Sequence, residues 1–390
     1  MSENAKPVLP AAGVSAGEGA VSAAAASGAA APATAARVQF SRQGAVASLT
    51  LNRPEALNAF DDWMRQIFAA EIPKIARNPD VYVAVLQSAS AKAFSAGGDV
   101  RALVKLAETD KAKAASYFAG EYALNWLLDC FSKPTVSLIN GLCMGSGVGL
   151  TAYNTHRVAG ENYKFAMPET AIGLFPDVGV AFIFARLPAP IGLYLGLTGR
   201  SIGRADAHWL GLATHCISGA AYPGIIAALG DAQPIDPLLD GLHEAQAAGP
   251  LQAERAMIED LFSGATLAAI MNRLEAATGA SEAFAKATLA DLRKRSPISL
   301  HITDRHIRSA AALDLRQTLI QDYRLAVRCL EARDFAEGVR AALVDKDGKP
   351  QWQHARVEDV TEREVTSYFE PLGAQDLELP TRIQMQSARV

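Results

Sequence analysis

Two carboxylates stand where packing alone gives charge no reason to be. Glu169 and Asp177 lie in Phe165-Ala166-Met167-Pro168-Glu169-Thr170-Ala171-Ile172-Gly173-Leu174-Phe175-Pro176-Asp177, a run otherwise made of small and apolar residues. An acid in such surroundings carries a desolvation cost unless it is paired or has chemistry to do. Upstream sit Gly141, Gly145, Gly147 and Gly149, with only small or apolar residues between them. They follow Thr135-Val136-Ser137-Leu138-Ile139, a short apolar run that reads as a buried strand. A strand passing into a helix whose first turn is nearly bare of side chains leaves backbone N–H groups free to approach a ligand. A second turn of this kind is Phe94-Ser95-Ala96-Gly97-Gly98-Asp99. Two helix N-termini with free amides, plus two acids in an apolar setting, point to acyl chemistry in which an oxyanion develops.

Each feature also has a plainer reading. Glu169, after Pro168, could cap a helix with its charge met by backbone amides. Asp177, after Pro176, occupies an ordinary N-cap position. Glu121, on a helix face, could be a solvated charge. Ser146 could serve as a nucleophile, but nothing near it in sequence supplies a base. His156, His208 and His215 are lone histidines on apolar stretches and read as structural. Gly145-Ser146-Gly147-Val148-Gly149 lacks the spacing of a dinucleotide-binding fingerprint. No P-loop, G-x-S-x-G elbow or H-E-x-x-H motif is present.

The elements that must position these residues alternate. Residues 38–40 and 45–51 predict two strands joined at Gln43-Gly44. Residues 59–77 carry apolar positions at helical spacing and stop at Asn78-Pro79; residues 81–86 predict a buried strand. Asp99 suits the N-cap of a following helix, and another helix is expected over 112–131. Strands alternating with helices imply a largely parallel α/β sheet. Beyond Gly179 the pattern turns helical, over 180–187, 205–212 and most of 251–343, with a polar turn at Asp345-Lys346-Asp347-Gly348-Lys349-Pro350. No solenoid-type repeat shows.

Composition narrows the class. The chain has 390 residues, 50% hydrophobic and 20% charged, with a net charge of −4, which suits a globular enzyme and not a nucleic-acid binder. Cys130, Cys143, Cys216 and Cys329 form no C-x-x-C pair, so neither a zinc site nor a disulfide framework is indicated, and reduced thiols fit the cytoplasm. The most apolar runs, such as 178–187, are too short to span a membrane. Residues 1–36, dominated by Ala, Gly, Ser and Pro, read as a disordered tail.

Three segments together, Phe94 to Asp99, Lys133-Pro134 to Leu150, and Pro168-Glu169-Thr170, resemble the crotonase (enoyl-CoA hydratase/isomerase) superfamily. The run from Phe165 through Asp177-Val178-Gly179 is similar to its 3-hydroxyisobutyryl-CoA hydrolase branch. So are Arg333-Asp334-Phe335-Ala336-Glu337-Gly338-Val339-Arg340-Ala341 with Asp345-Lys346-Asp347, and the tail around Tyr368-Phe369 and Asp376-Leu377. The resemblance implies a crotonase-type (ClpP/crotonase-like) α/β spiral of parallel sheets over 37–200, holding the CoA and oxyanion site, and a helical C-terminal region over 201–390. It makes the backbone N–H groups of Gly98 and Ser146 the oxyanion donors, although the family usually has glycine at the second. It makes Glu169 the catalytic acid, Asp177 an acid of the hydrolase branch and Glu121 a further substrate contact. The CoA arm is expected along 53–59 and 92–96, with Lys92, Ala96 and Asn58 as contacts. Hydratases carry a second glutamate where this chain has Gly149, and usually glycine where it has Asp177, so a different reaction is expected.

That reaction is hydrolysis of a short 3-hydroxyacyl-CoA, foremost 3-hydroxyisobutyryl-CoA from valine breakdown. Glu169 would either deprotonate water or attack the thioester itself. The rival readings are an enoyl-CoA hydratase or isomerase, and a non-catalytic CoA-binding protein. The hydrolysis needs no cofactor and no metal. Acyl-CoA is the expected partner, with no nucleic acid and no membrane; superfamily members often form trimers or hexamers, which leaves a homo-oligomer open.

Overall fold

The computed structural model of the chain describes residues 36–188 and 190–390. The expected tail lies outside them, apart from Ala36. Strands β1 (Val38–Gln43) and β2 (Val46–Leu51) form an antiparallel hairpin that turns at Gly44, where φ is +54°. Helix α1 (Asp62–Arg77) starts on Asp61, whose carboxylate accepts the Met64 N–H, and ends at Asn78. It begins later than residue 59 because Phe60 is extended, bridging to Gly98. Then come β3 (Val83–Ser88), β4 (Ala93–Ser95), α2 (Val100–Thr109), α3 (Lys111–Cys130), β5 (Thr135–Ile139), β6 (Leu142–Met144), α4 (Ser146–Thr151), β7 (His156–Ala159) and β8 (Lys164–Ala166). Asp99 caps α2 through the Ala102 N–H, as expected. Two short strands, β9 (Ile202–Gly203) and β10 (His215–Cys216), complete the set.

The strands form two sheets. The larger runs β1-β2-β3-β5-β7-β10 and is parallel beyond β1; the smaller runs β4-β6-β8-β9, with β9 antiparallel. Successive pairs β3–β4, β5–β6 and β7–β8 each give one strand to the larger sheet and one to the smaller, so the chain winds as a spiral. This is the spiral that the family resemblance implies, and its repeat is too short to show in the sequence. Its second strand in each turn has three residues, too few to show a period.

The larger sheet is apolar on both faces. Val83 and Val85 face one cluster with Ile225, Leu229 and Leu239, while Ala84 and Leu86 face the other. That is the period-two alternation of a strand buried on both sides. The second cluster is continuous from β1 through the C-terminal helices, including Leu315, Leu319 and Leu325 on the Leu315–Glu331 helix. Among the described residues, no helix is long and apolar enough to cross a membrane. The spiral matters for function because β4, β6 and β8 are parallel neighbours. The segments following them, 96–98, 145–146 and 168–169, therefore leave the small sheet from one edge.

Candidate active site

Those three segments meet around a cavity of ≈ 340 Å³. Gly145 has φ +46°, and a Cβ there would lie 3.2 Å from Glu169 Oε1 and 3.4 Å from the Gly97 Cα. Glycine is thus required by conformation and by the approach of the carboxylate. A Cβ on Gly98 would lie 3.0 Å from Ser146 Oγ, so the two expected donor positions are neighbours. Ser146 is the first residue of α4, where an N–H has no helical acceptor. Among the described residues, neither the Gly98 nor the Ser146 N–H donates to another backbone carbonyl outside the regular ladders.

Glu121, Glu169 and Asp177 all line this cavity, with only 3%, 6% and 5% of their surface exposed. Glu169 opens a single turn over Glu169–Ile172, and its Oε2 is buried without a hydrogen-bond partner. Its capping role is therefore not realised in full. Burial pushes its carboxyl up to about 8; its own backbone N–H opposes this and the charge of Glu121 adds to it. Asp177 is not an N-cap. Gly179 holds that place before the Val180–Phe184 helix, and Asp177 Oδ2 accepts the Tyr122 hydroxyl at 2.9 Å. Burial drives the Asp177 carboxyl well above the usual range, the charges of Glu121, Glu169 and Asp322 push the same way, and the Tyr122 hydroxyl opposes them. Glu121 is buried on α3, which overturns its reading as a solvated charge. Burial raises it too, against a hydrogen bond from the Ser146 side chain and the charge of Arg65. The acid that meets the Ser146 hydroxyl thus comes from α3 and not from a neighbour in sequence.

Electrostatic coupling between Glu121 and Glu169 has a measurable consequence. Glu121→Gln should move the Glu169-dependent limb of the kcat/KM–pH profile below about 8, by about half a pH unit or more. A limb that stays in place would remove Glu121 as an influence on Glu169.

Position 149 explains the missing second glutamate. A Cβ on Gly149 would sit 2.7 Å from Asn125 Nδ2 and 2.9 Å from the Val178 Cβ. The side chain after Asp177 occupies the room that a carboxylate on α4 would need.

The three expected CoA contacts separate. Ala96 lines the cavity. Lys92, just before β4, lines a different, open cleft with Lys164 and Arg204. Asn58 is wholly buried: its amide donates to Phe94 O at 2.9 Å and Ser88 Oγ at 2.7 Å, and its Oδ1 accepts the Arg53 N–H at 2.7 Å. It ties the loop before α1 to β4 and does not line the cavity. His156 and His215 bond Asp236 and Asp240 away from the cavity, in keeping with structural roles.

Sequence reasoning missed the far wall. Ala342 and Leu343 line the cavity from a π turn over Arg340–Val344. Arg340 braces that turn by binding Glu337, Asp345 and Asp347. The Arg340-Ala341 and Asp345-Lys346-Asp347 segments had signalled the region, but not that it reaches the acids. Tyr122 and Tyr117 carried no signal beyond helical spacing.

Comparison with known proteins agrees with this architecture. A family model described as Enoyl-CoA hydratase/isomerase matches residues 46–369. A protein named 3-hydroxyisobutyryl-CoA hydrolase, mitochondrial, from Xenopus tropicalis is 37% identical over 350 residues, covering 87% of this chain and 90% of the relative. The Homo sapiens protein of the same name is 37% identical over 354 residues, with 87% and 90% covered. Among solved structures, a carnitinyl-CoA dehydratase from Mycobacterium thermoresistibile has TM-score 0.83 and 34% identity, covering 88% of this chain and 98% of its own. An enoyl-CoA hydratase from Rhodobacter sphaeroides has TM-score 0.82 and 37% identity, covering 88% and 100%. With the spiral of paired strands, the glycine turns and identity over most of its length, the chain belongs to the enoyl-CoA hydratase/isomerase (crotonase) family, in the branch of the 3-hydroxyisobutyryl-CoA hydrolases.

Proposed function

We propose that the chain hydrolyses short 3-hydroxyacyl-CoA thioesters, 3-hydroxyisobutyryl-CoA foremost, to the free hydroxy acid and CoA. The observation that carries this is the buried, unpartnered Glu169 carboxylate beside two free N–H groups, with no room for a second acid at position 149. The thioester oxygen accepts from the Gly98 and Ser146 N–H groups, which strengthen their hold as it becomes an oxyanion. Glu169 takes a proton from water as that water's oxygen bonds to C1. A carboxyl titrating near 8 is well matched to this transfer. The C–S bond then breaks, and the departing CoA sulfur takes the proton from Glu169.

Asp177 has one oxygen engaged by Tyr122 and offers the other to the 3-hydroxyl, with Glu121 on the same side. An acyl group lacking that hydroxyl leaves a buried acid unpaired, which disfavours it. Leu343 and Leu103 limit the acyl length. The CoA arm leaves past Ala96. Lys92 lies four residues back along extended chain, roughly 13 Å away, within reach of the nucleotide end. No cofactor enters the reaction. A cytoplasmic location belongs to the same proposal; four free, buried thiols suit any reducing compartment, and the relatives named above are mitochondrial.

Hydratase or isomerase chemistry is the competing reading, carried by the names of the two solved relatives. Thiol release across a panel of short 3-hydroxyacyl-CoAs and their non-hydroxylated counterparts decides between them. Hydrolysis predicts free CoA from the hydroxylated members first. Loss of enoyl absorbance with no thiol would establish the rival.

A further inference from the structure

Asp177 is followed by two consecutive residues in the left-handed region, Val178 at φ +54° and Gly179 at φ +77°. A β-branched residue rarely holds that conformation, and it persists only when the surroundings impose it. Part of what imposes it comes from outside the spiral. The Gly179 N–H donates to Asp322 Oδ2 at 2.6 Å, and Asp322 Oδ1 meets His306 Nε2 at 2.5 Å. Asp322 lies on the Leu315–Glu331 helix and His306 on the Pro297–Ala310 helix; the two are 0% and 1% exposed. The Tyr153 hydroxyl holds the Val178 carbonyl from the other side. A buried Asp–His pair is a poor way to stabilise a helix packing, since apolar residues do as well. Its contacts with the core fall on the segment that carries Asp177: Asp322 accepts the Gly179 N–H, and the His306 ring meets Phe175 edge-on at 5.6 Å.

We propose that Asp322, fixed by His306, is a positioning residue that holds the Val178–Gly179 corner and thereby keeps the Asp177 carboxyl turned toward Tyr122 and the cavity. The inference rests on the hydroxyacyl-CoA reading of the site. It makes the C-terminal helices part of the machinery that recognises the 3-hydroxyl. The titratable groups facing this pair are Tyr122 on α3, Tyr153 after α4 and Asp177 itself.

The test is a double-mutant cycle read twice, as kcat for thiol release and as affinity for a non-hydrolysable 3-hydroxybutyryl-CoA thioether. Asp322→Ala should cost about 10-fold in the wild-type background and no more than about twofold in the Asp177→Asn background, because it acts through Asp177. His306→Leu should behave like Asp322→Ala. His306→Gln, which keeps a donor toward Asp322, should recover most of the loss. The Gly179 amide proton, followed in glycine-labelled protein, should move upfield in Asp322→Ala and stay in place in His306→Gln. Equal costs in both backgrounds, or an unmoved Gly179 amide, overturn the proposal. If Asp322→Ala does not fold, His306→Leu replaces it in the cycle, with the same outcomes for and against. A wild-type protein that binds the thioether with the non-additive pattern but releases no thiol would refute the hydrolase reading and leave the positioning role standing.

Discussion

Glu169→Gln should reduce kcat for thiol release by about 10²–10⁴-fold, the usual worth of a general base, while KM changes little. Glutamine fills the same volume and cannot take a proton from water. The wild-type profile of kcat/KM should rise with pH up to about 8 and level off above it, because the working form of Glu169 is the carboxylate and burial holds its proton to about 8. The variant's residual activity should lack that limb. Stability gives an independent reading with a definite sign. A carboxyl raised from 4.5 to about 8 binds its proton more tightly in the folded chain. That stabilisation is full below the unfolded value, fades as pH rises through the folded value, and is gone above it. Glutamine has no charge to bury. Glu169→Gln should therefore be more stable than the wild type at pH 9, by on the order of a few kcal/mol, with the advantage shrinking toward pH 5. Thermal melts at the two pH values check it. Wild-type turnover in the variant would end the role assigned to Glu169, whereas an unchanged melting difference would mean its carboxyl is not raised.

The acids and the two glycine turns were legible because they break local rules. Charge amid Pro, Gly, Ile, Leu and Phe at Glu169 and Asp177, and a helix start without side chains at Gly145 and Gly147, are visible without tertiary knowledge. Asp99 was legible for the opposite reason, since an Asp before a helix follows the capping preference. The small sheet was not, since β4, β6 and β8 have three residues each and sit beside glycines that read as loop. That omission hid why the site exists where it does: parallel pairing brings Gly98, Ser146 and Glu169 to one edge. The local rule also misled at Asp177, where a Pro–Asp–helix pattern reads as a cap and the backbone turns left-handed one residue later. Glu121 misled because a charge on a helix is normally solvated, and only the packing of α3 into the interior shows otherwise. Asn58 stood in a stretch expected to touch CoA, and its amide is spent on backbone carbonyls. No local pattern could reveal Asp322, whose bond to Gly179 closes over 143 residues of sequence. The C-terminal helices look like an appendage in sequence, yet they supply both the far wall of the cavity at Leu343 and the bond beneath Asp177.

The other large effect should come from removing an oxyanion donor without removing a side chain that touches the acyl group. Position 146 permits it. Proline is tolerated in the first turn of a helix, where its missing N–H has no helical acceptor to lose. Its constraint falls on the preceding residue, which must avoid the right-handed helical region. Gly145, at φ +46° and ψ −120°, is already outside that region in a conformation open to glycine. Ser146→Pro should therefore fold, as circular dichroism and a cooperative melt would confirm, and lose about 10²–10³-fold in kcat, the cost of one such donor. Ser146→Gly is the matched comparison. It keeps the N–H and gives up only the hydroxyl's bond to Glu121, so its loss should be far smaller. It should also let Glu121 hold its proton to higher pH, since that bond opposes the rise caused by burial. The contrast between the two variants isolates the main-chain donor from the side chain that carries it. Equal losses in proline and glycine variants would place the catalytic contribution of this position in the serine hydroxyl, and the two-amide account of the oxyanion would have to be abandoned.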